Sequence, residues 1–340
     1  MILFFLLPLI LLTIAAVNFV QIRTPKAISE LKDSVGVVVP MRNEAENVEG
    51  IVATLSAQDG PFHFYLLDDN SEDSTFELLQ RFTAGDTRFT VIKGAPLADG
   101  WIGKTWALQQ LFEASNEEVL VSIDADVRLT NDAINKAVTL MHGARLDFVS
   151  PYPRQIALSF AERLIQPLLQ WSWLTTVPLR YAEGARQKSM AVANGQFLIV
   201  KRNAYLKSGG HESIKGEVLD DLMLARKLLE HGFKGGVAEA SQVAQCKMYD
   251  STRDLFLGYQ KSLHKAFGSV IGAVFAVALL VATGIVPILG ALSGSTLALV
   301  SFLLVFASRF ISSVRTGGIP NTALLHPIAI IFLIILIWCQ

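Results

Sequence analysis

A chain of 340 residues is long enough for one large domain or two smaller ones with a substantial core. Hydrophobic residues make up 51% of it and charged residues 17%, and its mean hydropathy of +0.42 is too apolar for an ordinary soluble protein and too charged for a bare bundle of spanning helices. A formal net charge of −1 supplies no basic field, so no nucleic-acid partner is expected, and the cysteines Cys246 and Cys339 sit in settings too different for a disulfide framework.

Taken in chain order, Met1 to Val20 is almost wholly apolar. It is long enough to cross a hydrocarbon core of roughly 30 Å at about 1.5 Å per residue. The basic residues Arg23, Lys26 and Lys32 follow this run rather than precede it. That placement favours an uncleaved anchor over residues 1–22, with the next domain cytoplasmic, over a cleaved signal peptide.

Residues 33–265 read as an α/β domain. Val35 to Val39 is a short β-branched run ending at Pro40, followed by a helical pattern from Glu44 to Leu55. Phe62 to Leu67 is a second strand running into Asp68, Asp69, Asn70 and Ser71. Thr75 to Phe82 is helical, Thr90 to Ile92 a third strand, Thr105 to Ala114 a helix, and Val119 to Ile123 a fourth strand. This alternation predicts a mainly parallel sheet covered by helices on both faces, with ligands gathering beyond the carboxyl ends of its strands. Asn43 and Glu44, Asp68 and Asp69, and Asp124 and Asp126 all follow strands, so distant stretches are expected to converge there.

Asp124-Ala125-Asp126 directly follows an apolar strand, and strand alternation would turn both carboxylates to one side, toward a divalent Mg²⁺ or Mn²⁺ ion. Such an ion offsets the repulsion between carboxylates and a nucleotide diphosphate, and stabilises a departing diphosphate. Asp69 is expected to bind ligand through a base imide or a ribose hydroxyl, with Asp73 or Ser74 left to cap the next helix. Lys104 opens a helix within Gly100-Trp101-Ile102-Gly103-Lys104 and could meet a phosphate there, although the spacing is not that of a Walker loop. Asp220 and Asp221 begin another helix. Stability of a first turn alone could explain them, yet two adjacent carboxylates raise one pKa, which makes Asp221 a candidate proton acceptor. Lys247, Lys261, His264 and Lys265 form a basic patch in which Lys261 or His264 could close over a diphosphate.

Within the domain, residues 155–181 are apolar but carry Glu162, Arg163, Arg180 and two prolines, so a spanning helix is not expected. An interfacial segment with its tryptophans at headgroup depth and a helix buried against the sheet remain equal alternatives. From Ala266 to Ser308 no acidic residue, lysine or arginine occurs, and Ser293-Gly294-Ser295-Thr296 divides this stretch. With the final run Ala323 to Trp338, residues 266–339 predict three spans, and Arg309 and Arg315 between the last two fit the cytoplasmic side. The expected protein is a multi-pass protein of the cell membrane.

The set Val37-Val38-Val39-Pro40 with Asn43-Glu44, Asp68-Asp69-Asn70-Ser71, Asp124-Ala125-Asp126 and Asp220-Asp221-Leu222 resembles family-2 glycosyltransferases of the GT-A fold, over about 190 residues and in the family's order. The resemblance implies that Pro40, Glu44 and Asp69 line a nucleotide pocket, that Asp126 binds metal with Asp124 beside it, and that Asp221 is the catalytic base, with Asp220 replacing the family's glutamate. Gly100 to Ala107, Asn194-Gly195-Gln196-Phe197, Gly209-Gly210-His211-Glu212 and Lys247-Met248-Tyr249 are similar to the membrane branch near carotenoid and hopanoid pathways. That branch implies UDP-glucose or a related nucleotide-sugar donor and a terpenoid or other lipid acceptor. Tyr259 to Lys265 lacks the Gln-x-x-Arg-Trp motif of processive synthases, which points to single transfer. A polyprenyl-phosphate sugar synthase and a non-catalytic scaffold with the same fold are the alternatives.

Overall fold

A computed structural model describes residues 2–249, 251–266 and 269–338, with the side chains of 2–4 and 261–266 outside the description. In chain order it contains α1 (Ile2–Gln21), β1 (Val35–Met41), α2 (Ala45–Ser56), β2 (Phe62–Asp68), α3 (Thr75–Phe82), β3 (Phe89–Lys93), α4 (Gly103–Ala114), β4 (Val119–Ile123), β5 (Val127–Leu129) and α5 (Ala133–Gly143). There follow β6 (Phe148–Tyr152), β7 (Arg154–Gln155), α6 (Phe160–Thr176), α7 (Leu179–Ala182), β8 (Phe197–Lys201), α8 (Arg202–Lys207), α9 (Asp220–Glu230), β9 (Gly235–Glu239) and β10 (Ala244–Cys246). The last helices are α10 (Thr252–Ala266), α11 (Val270–Leu280), α12 (Val286–Leu292), α13 (Thr296–Arg315) and α14 (His326–Trp338). Two compact units result, one of residues 23–154 and 181–246 and one of residues 1–22, 155–180 and 247–340.

The first unit is built on a seven-stranded sheet in the order β3-β2-β1-β4-β8-β6-β9. Neighbours from β3 to β4 run parallel, β8 is antiparallel to both β4 and β6, and β9 is parallel to β6. Continuous apolar strands are required here because both faces are covered. Alternate residues of β1 feed separate cores: Val37 and Val39 pack with Phe64, Leu66, Ile51 and Leu55, whereas Val38 packs with Leu67, Leu108, Leu111 and Leu224. Helix α2 supplies its share through the stripe Val48, Ile51, Val52 and Leu55, spaced for one helical face. The expected mainly parallel sheet with helices on both faces is what forms. The predicted bounds of α3 and β4 are also those observed.

In the second unit, Val270–Leu292, Thr296–Arg315 and Pro320–Trp338 are each long and apolar enough to cross a membrane, and Phe5–Gln21 is a shorter apolar helix. Large apolar side chains stand uncovered on these helices, Ile271 at 83% and Leu292 at 80% exposed, as suits a lipid surface better than water. The expected break falls between α12 and α13, where Gly294 takes φ +89° and the Ser295 hydroxyl accepts from the Ala298 N–H to start the next helix.

Residues 155–180 belong to this helical unit. Helix α6 begins with a capping box in which Ser159 and Glu162 satisfy each other's backbone N–H groups, and it packs on α1, α13 and α14. Helices of the same unit cover its apolar face. Trp171 is buried there and donates to Ser308 Oγ at 2.8 Å. At its C-terminal end, where helix carbonyls lack partners, Asn18 donates to Leu174 O at 2.8 Å and Val177 O at 2.7 Å. Arg309 is not a loop cation as the charge argument had it: its side chain is fully buried on α13.

At the sheet's edge, a Cβ added to Gly235 would overlap the Phe148 carbonyl and ring across the β6–β9 pair. Gly235→Ala is expected to lower stability by about 1–3 kcal/mol through overpacking. A calorimetric or fluorescence melt of the purified chain should show that loss, while Gly143→Ala, with open space around it, should melt like wild type.

Candidate active site

The site begins at the carboxyl ends of β1, β2 and β4: Met41 pairs with Asp68 at the ends of β1 and β2, and Val38 with Ser122, so β4 stops about two residues earlier and its aspartate turn begins there. Just past these ends the chain leaves regular structure. Asn43 and Asn70 both take positive φ, at +54° and +53°, a conformation short polar side chains tolerate best among residues with a Cβ. Asn43 locks the two turns together, its N–H donating to Ser71 Oγ at 2.9 Å and its Oδ1 accepting from Glu72 N at 2.8 Å. Asp73 accepts from Thr75 N at 3.0 Å and also from Ala45 N at 3.1 Å, so it holds the start of α2 as well as that of α3.

Asp69 follows β2, tied by its N–H to Met41 O at 2.7 Å. Burial raises its carboxyl pKa, Arg42 opposes this, and Asp68 adds to it. A Cβ at Gly103 would lie 3.2 Å from Asp69 Oδ2, so the glycine at the start of α4 lets helix and carboxylate approach. The next residue is Lys104, whose ammonium lies 2.7 Å from Asp124 Oδ1 and 3.0 Å from Oδ2. Pro40, within β1, pairs with Leu67 and is half-buried.

Asp124-Ala125-Asp126 does not continue the strand. β4 ends at Ile123, and a turn closed by Val127 N donating to Asp124 O at 3.1 Å carries the motif. The two carboxylates are neighbours because of that turn, not because of strand alternation. Burial, then the charge of Asp124, pushes Asp126 up to about 6. Its Oδ2 accepts from the Cys246 thiol at 3.1 Å, while its Oδ1 is buried with no hydrogen-bond partner. Burial and then Asp126 drive the Cys246 thiol well above its usual range, so it acts as a neutral donor.

Asp221 lies near the same ammonium. A Cβ at Gly195 would sit 3.2 Å from Lys104 Nζ and 3.4 Å from Asp221 Cβ, a tight fit that a larger residue could enter only by displacing the lysine head. The Asp221 carboxylate accepts from Gly195 N at 2.6 Å and from Leu222 N at 2.7 Å. Burial and then Asp220 raise it to about 6, against the pull of Lys104. The loop bearing Gly195 is fixed by Asn194, which donates to Gln196 Oε1 at 3.1 Å and receives Gln196 N at 2.8 Å.

Sequence reading missed several members of this cluster. Arg128 donates to Ala125 O at 2.7 Å and to Asn47 Oδ1 at 2.9 Å, and Asn47 donates to Glu44 Oε2 at 2.7 Å, so a chain of bonds joins the aspartate turn to Glu44. Burial raises the Glu44 carboxyl, which Asn47 lowers and Asp124 raises further. Arg128 lies two residues past Asp126 and was open to notice; Cys246, 120 residues away, gave no local signal. The side chains of Lys261 and His264 lie outside the described residues.

Lys104 is thus the cation shared by Asp124, Asp220 and Asp221: burial works against its charge, but these carboxylates raise its pKa overall. Carboxyls whose folded pKa is raised favour the fold when protonated, an effect present below about pH 4 and lost as pH rises through about 6. Lys104→Met removes the opposing charge, so its melting point should fall further below wild type at pH 8 than at pH 5. Equal deficits at the two pH values would show that the lysine does not hold the carboxylates.

The profile described as Glycosyl transferase family 2 matches residues 36–207 of the chain. The 4,4'-diaponeurosporenoate glycosyltransferase of Staphylococcus haemolyticus (strain JCSC1435) is 23% identical over 201 residues, 58% of this chain and 52% of that protein. The protein of the same name from Staphylococcus aureus (strain bovine RF122 / ET3-1) is 24% identical over 243 residues, 69% of this chain and 62% of that one. A beta-monoglucosyldiacylglycerol synthase of Trichormus variabilis (strain ATCC 29413 / PCC 7937) is 26% identical over 112 residues, 31% of this chain and 24% of that one. The chain therefore spans less than two thirds of the length of these relatives. Among solved structures, the mannosyltransferase PcManGT from Pyrobaculum calidifontis, in complex with GDP-Man and Mn²⁺, aligns with a TM-score of 0.61 over 99% of this chain and 96% of that one. At 18% identity the likeness is one of fold, and that fold is GT-A.

Proposed function

As the chain belongs to glycosyl transferase family 2, we propose that it moves a hexose from a nucleoside-diphosphate donor to a lipid acceptor in a single inverting transfer. The observation that carries this reading is the meeting of Lys104, Asp124 and Asp221 around Gly195, next to the Asp124–Asp126 turn at the carboxyl edge of the sheet. In the reaction the acceptor oxygen attacks the anomeric carbon and the bond from that carbon to the diphosphate breaks; a hydroxyl acceptor passes its proton to Asp221, whereas an ionised carboxylate acceptor attacks with no proton to lose. Two backbone N–H groups fix the Asp221 carboxylate, and its raised pKa suits proton acceptance near neutrality. Pro40, Glu44 and Asp69 would line the nucleotide pocket, and Lys104 would face the charge that develops on the leaving diphosphate. Asp220 would act through its charge on Asp221 and Lys104.

A divalent cation fits the aspartate turn. Asp126 Oδ1 is a hard oxygen, buried and without a partner, and a second carboxylate stands beside it. Among the described residues no cluster of three or more His, Cys, Asp or Glu side chains is arranged around a metal position, so the rest of the shell would come from diphosphate oxygens and water. Bound there with Asp126 and Asp124, Mg²⁺ or Mn²⁺ would neutralise the diphosphate.

For the acceptor, a carotenoid carboxylate or other terpenoid is the class suggested by the names of the similar staphylococcal proteins, with UDP-glucose the donor implied by the sequence resemblance. The three apolar helices support a multi-pass membrane protein, with the α/β unit on the cytoplasmic side where nucleotide sugars are made. Membranes containing the chain, given labelled UDP-glucose and extracted for lipid, should yield a labelled product. Mild-base release identifies a glycosyl ester, mild-acid release a polyprenyl-phosphate sugar, and resistance to both an ether glycoside. Donor binding without any labelled lipid would sink the transferase reading in favour of a scaffold.

Asp221→Asn should cut transfer to a hydroxyl acceptor by about 10³-fold while leaving donor affinity within a few-fold. With a hydroxyl acceptor, kcat/KM of the unaltered protein should fall about tenfold per pH unit below about pH 6, because protonated Asp221 cannot accept a proton, and level off above it. A flat profile between pH 5 and 7 would remove Asp221 from the role of base. Chelation with EDTA should abolish transfer, and added Mn²⁺ or Mg²⁺ should restore it.

A further inference from the structure

The helical unit holds a group of polar side chains that its packing does not explain. Arg309, on α13, is fully buried, yet no carboxylate among the described residues pairs with it. Its contacts are His326 Nδ1 at 3.1 Å and Leu164 O at 2.8 Å, and its Nε has no partner. An ionised group within an apolar helical frame is costly unless something neutralises it, and such groups mark functional sites by default.

The hydrogen-bond inventory points to the sign of what is missing. A guanidinium only donates, so His326 Nδ1 accepts, and a neutral imidazole then carries its hydrogen on Nε2. That Nε2 is buried and unpartnered. Gln166, 2% exposed on α6, has neither amide atom bonded, and Ser313 Oγ, one turn along α13 from Arg309, is likewise without a partner. Helices α6, α13 and α14 of this unit therefore carry unpaired donors on Arg309, His326, Gln166 and Ser313, and no carboxylate is bonded to the guanidinium among the described residues. Glu162, Gln166 and Gln170 recur at helical spacing on α6, and Thr316 donates to Gln170 Oε1 at 2.9 Å, so this polar face turns toward the C-terminal half of α13. The Glu162 carboxylate, buried on the same face, has one oxygen engaged by Leu158 N and Ser159 N and the other without a partner, and it is not bonded to the guanidinium.

Around the polar group the packing is apolar: Leu164, Ile165, Leu168, Ile330 and Leu333 belong to the same buried cluster. His326 Nε2 also faces the irregular turn Val281–Ile285, since a Cβ on Gly284 would lie 3.4 Å from it. Such π-turns inside helices recur at functional sites. A free inorganic anion would have little reason to enter this setting, whereas an anion carried on an apolar chain has one.

We propose that Arg309, with His326, Gln166 and Ser313, forms a binding site inside the helical unit for the single anionic head, carboxylate or phosphate, of a long-chain amphiphile. Bidentate donation from the guanidinium suits either head, and Gln166, His326 and Ser313 supply the remaining donors. The site stands without the transferase reading. If that reading holds, the amphiphile is either the acceptor or a resident membrane lipid.

The test uses the full chain in neutral detergent with cis-parinaric acid, a fluorescent polyene fatty acid, and its methyl ester as probes. Energy transfer from tryptophan reports binding, and Trp171, whose ring centroid lies 4.9 Å from that of His326, is well placed to give it. The acid should bind saturably and at least about tenfold more tightly than the ester (about 1.4 kcal/mol). Arg309→Gln should bring the acid to the ester's level, and Arg309→Lys should retain part of the preference. Equal binding of acid and ester to the unaltered protein overturns the proposal with no variant needed, which covers the case of a variant that fails to fold. Ser313→Ala and Gln166→Leu, each expected to weaken the acid alone, add an independent check. Displacement of the acid by inorganic phosphate would overturn the amphiphile requirement. In nanodiscs, displacement by phosphatidylglycerol but not phosphatidylcholine assigns the site to a membrane lipid, whereas a preference for the acid that survives phosphatidylglycerol assigns it to an acceptor. None of these readings involves a nucleotide sugar, so failure of transfer and failure of this site are separate results.

Discussion

The Lys104 ammonium holds the α/β unit's site together. Asp124, Asp220 and Asp221 all act on it, and without a central cation their mutual repulsion would force them apart or into the protonated state. The arrangement is a compromise rather than a tight pair. Burial and neighbouring charge still push Asp126 and Asp221 up to about 6, so both remain responsive to whatever cation or proton donor arrives. The proposed transfer from a sugar diphosphate would need such a set: carboxylates to hold a metal and accept a proton, and positive charge to meet phosphate.

The backbone makes that compromise possible. Three parallel strands end on the same side of the sheet, and after two of them the chain turns at Asn43 and Asn70 through a conformation that few residues with a Cβ adopt readily. Glycines stand where two functional groups must approach each other: Gly103 against Asp69, and Gly195 between Lys104 and Asp221. The bonds from Arg128 through Asn47 to Glu44 tie the aspartate turn to the start of α2, so the acidic groups are set by a shared network rather than by separate loops.

The helical unit shows the reverse imbalance. There a buried guanidinium has an imidazole nitrogen and a backbone carbonyl as partners and no bonded carboxylate among the described residues, inside helices whose outer faces are apolar. One unit gathers carboxylates around a lysine; the other buries a guanidinium to which no carboxylate is bonded among the described residues. Both imbalances point to a ligand of complementary charge, because burying polar groups unmatched is costly.

Local chemistry settled much of this in advance. The β-branched run at Val35 to Val39, the apolar run at Val119 to Ile123 and the amphipathic spacing of Ala45 to Ser56 fix strands and helices through neighbours only a few residues away, and the Ser293-Gly294 break separates two helices for the same reason. That Asp69, Lys104, Asp124 and Asp221 gather near one sheet edge also follows from strand order, which an alternating pattern constrains. Only tertiary structure decided that Asp124 and Asp126 lie on a turn, that Cys246 donates to Asp126, that Gly195 separates Lys104 from Asp221, that α6 packs on helices of its own unit, and that Arg309 is buried. Each of these is a meeting of groups far apart along the chain. Periodicity reports which face of an element is apolar, but the partner that covers it depends on how long loops close, and no local pattern encodes that.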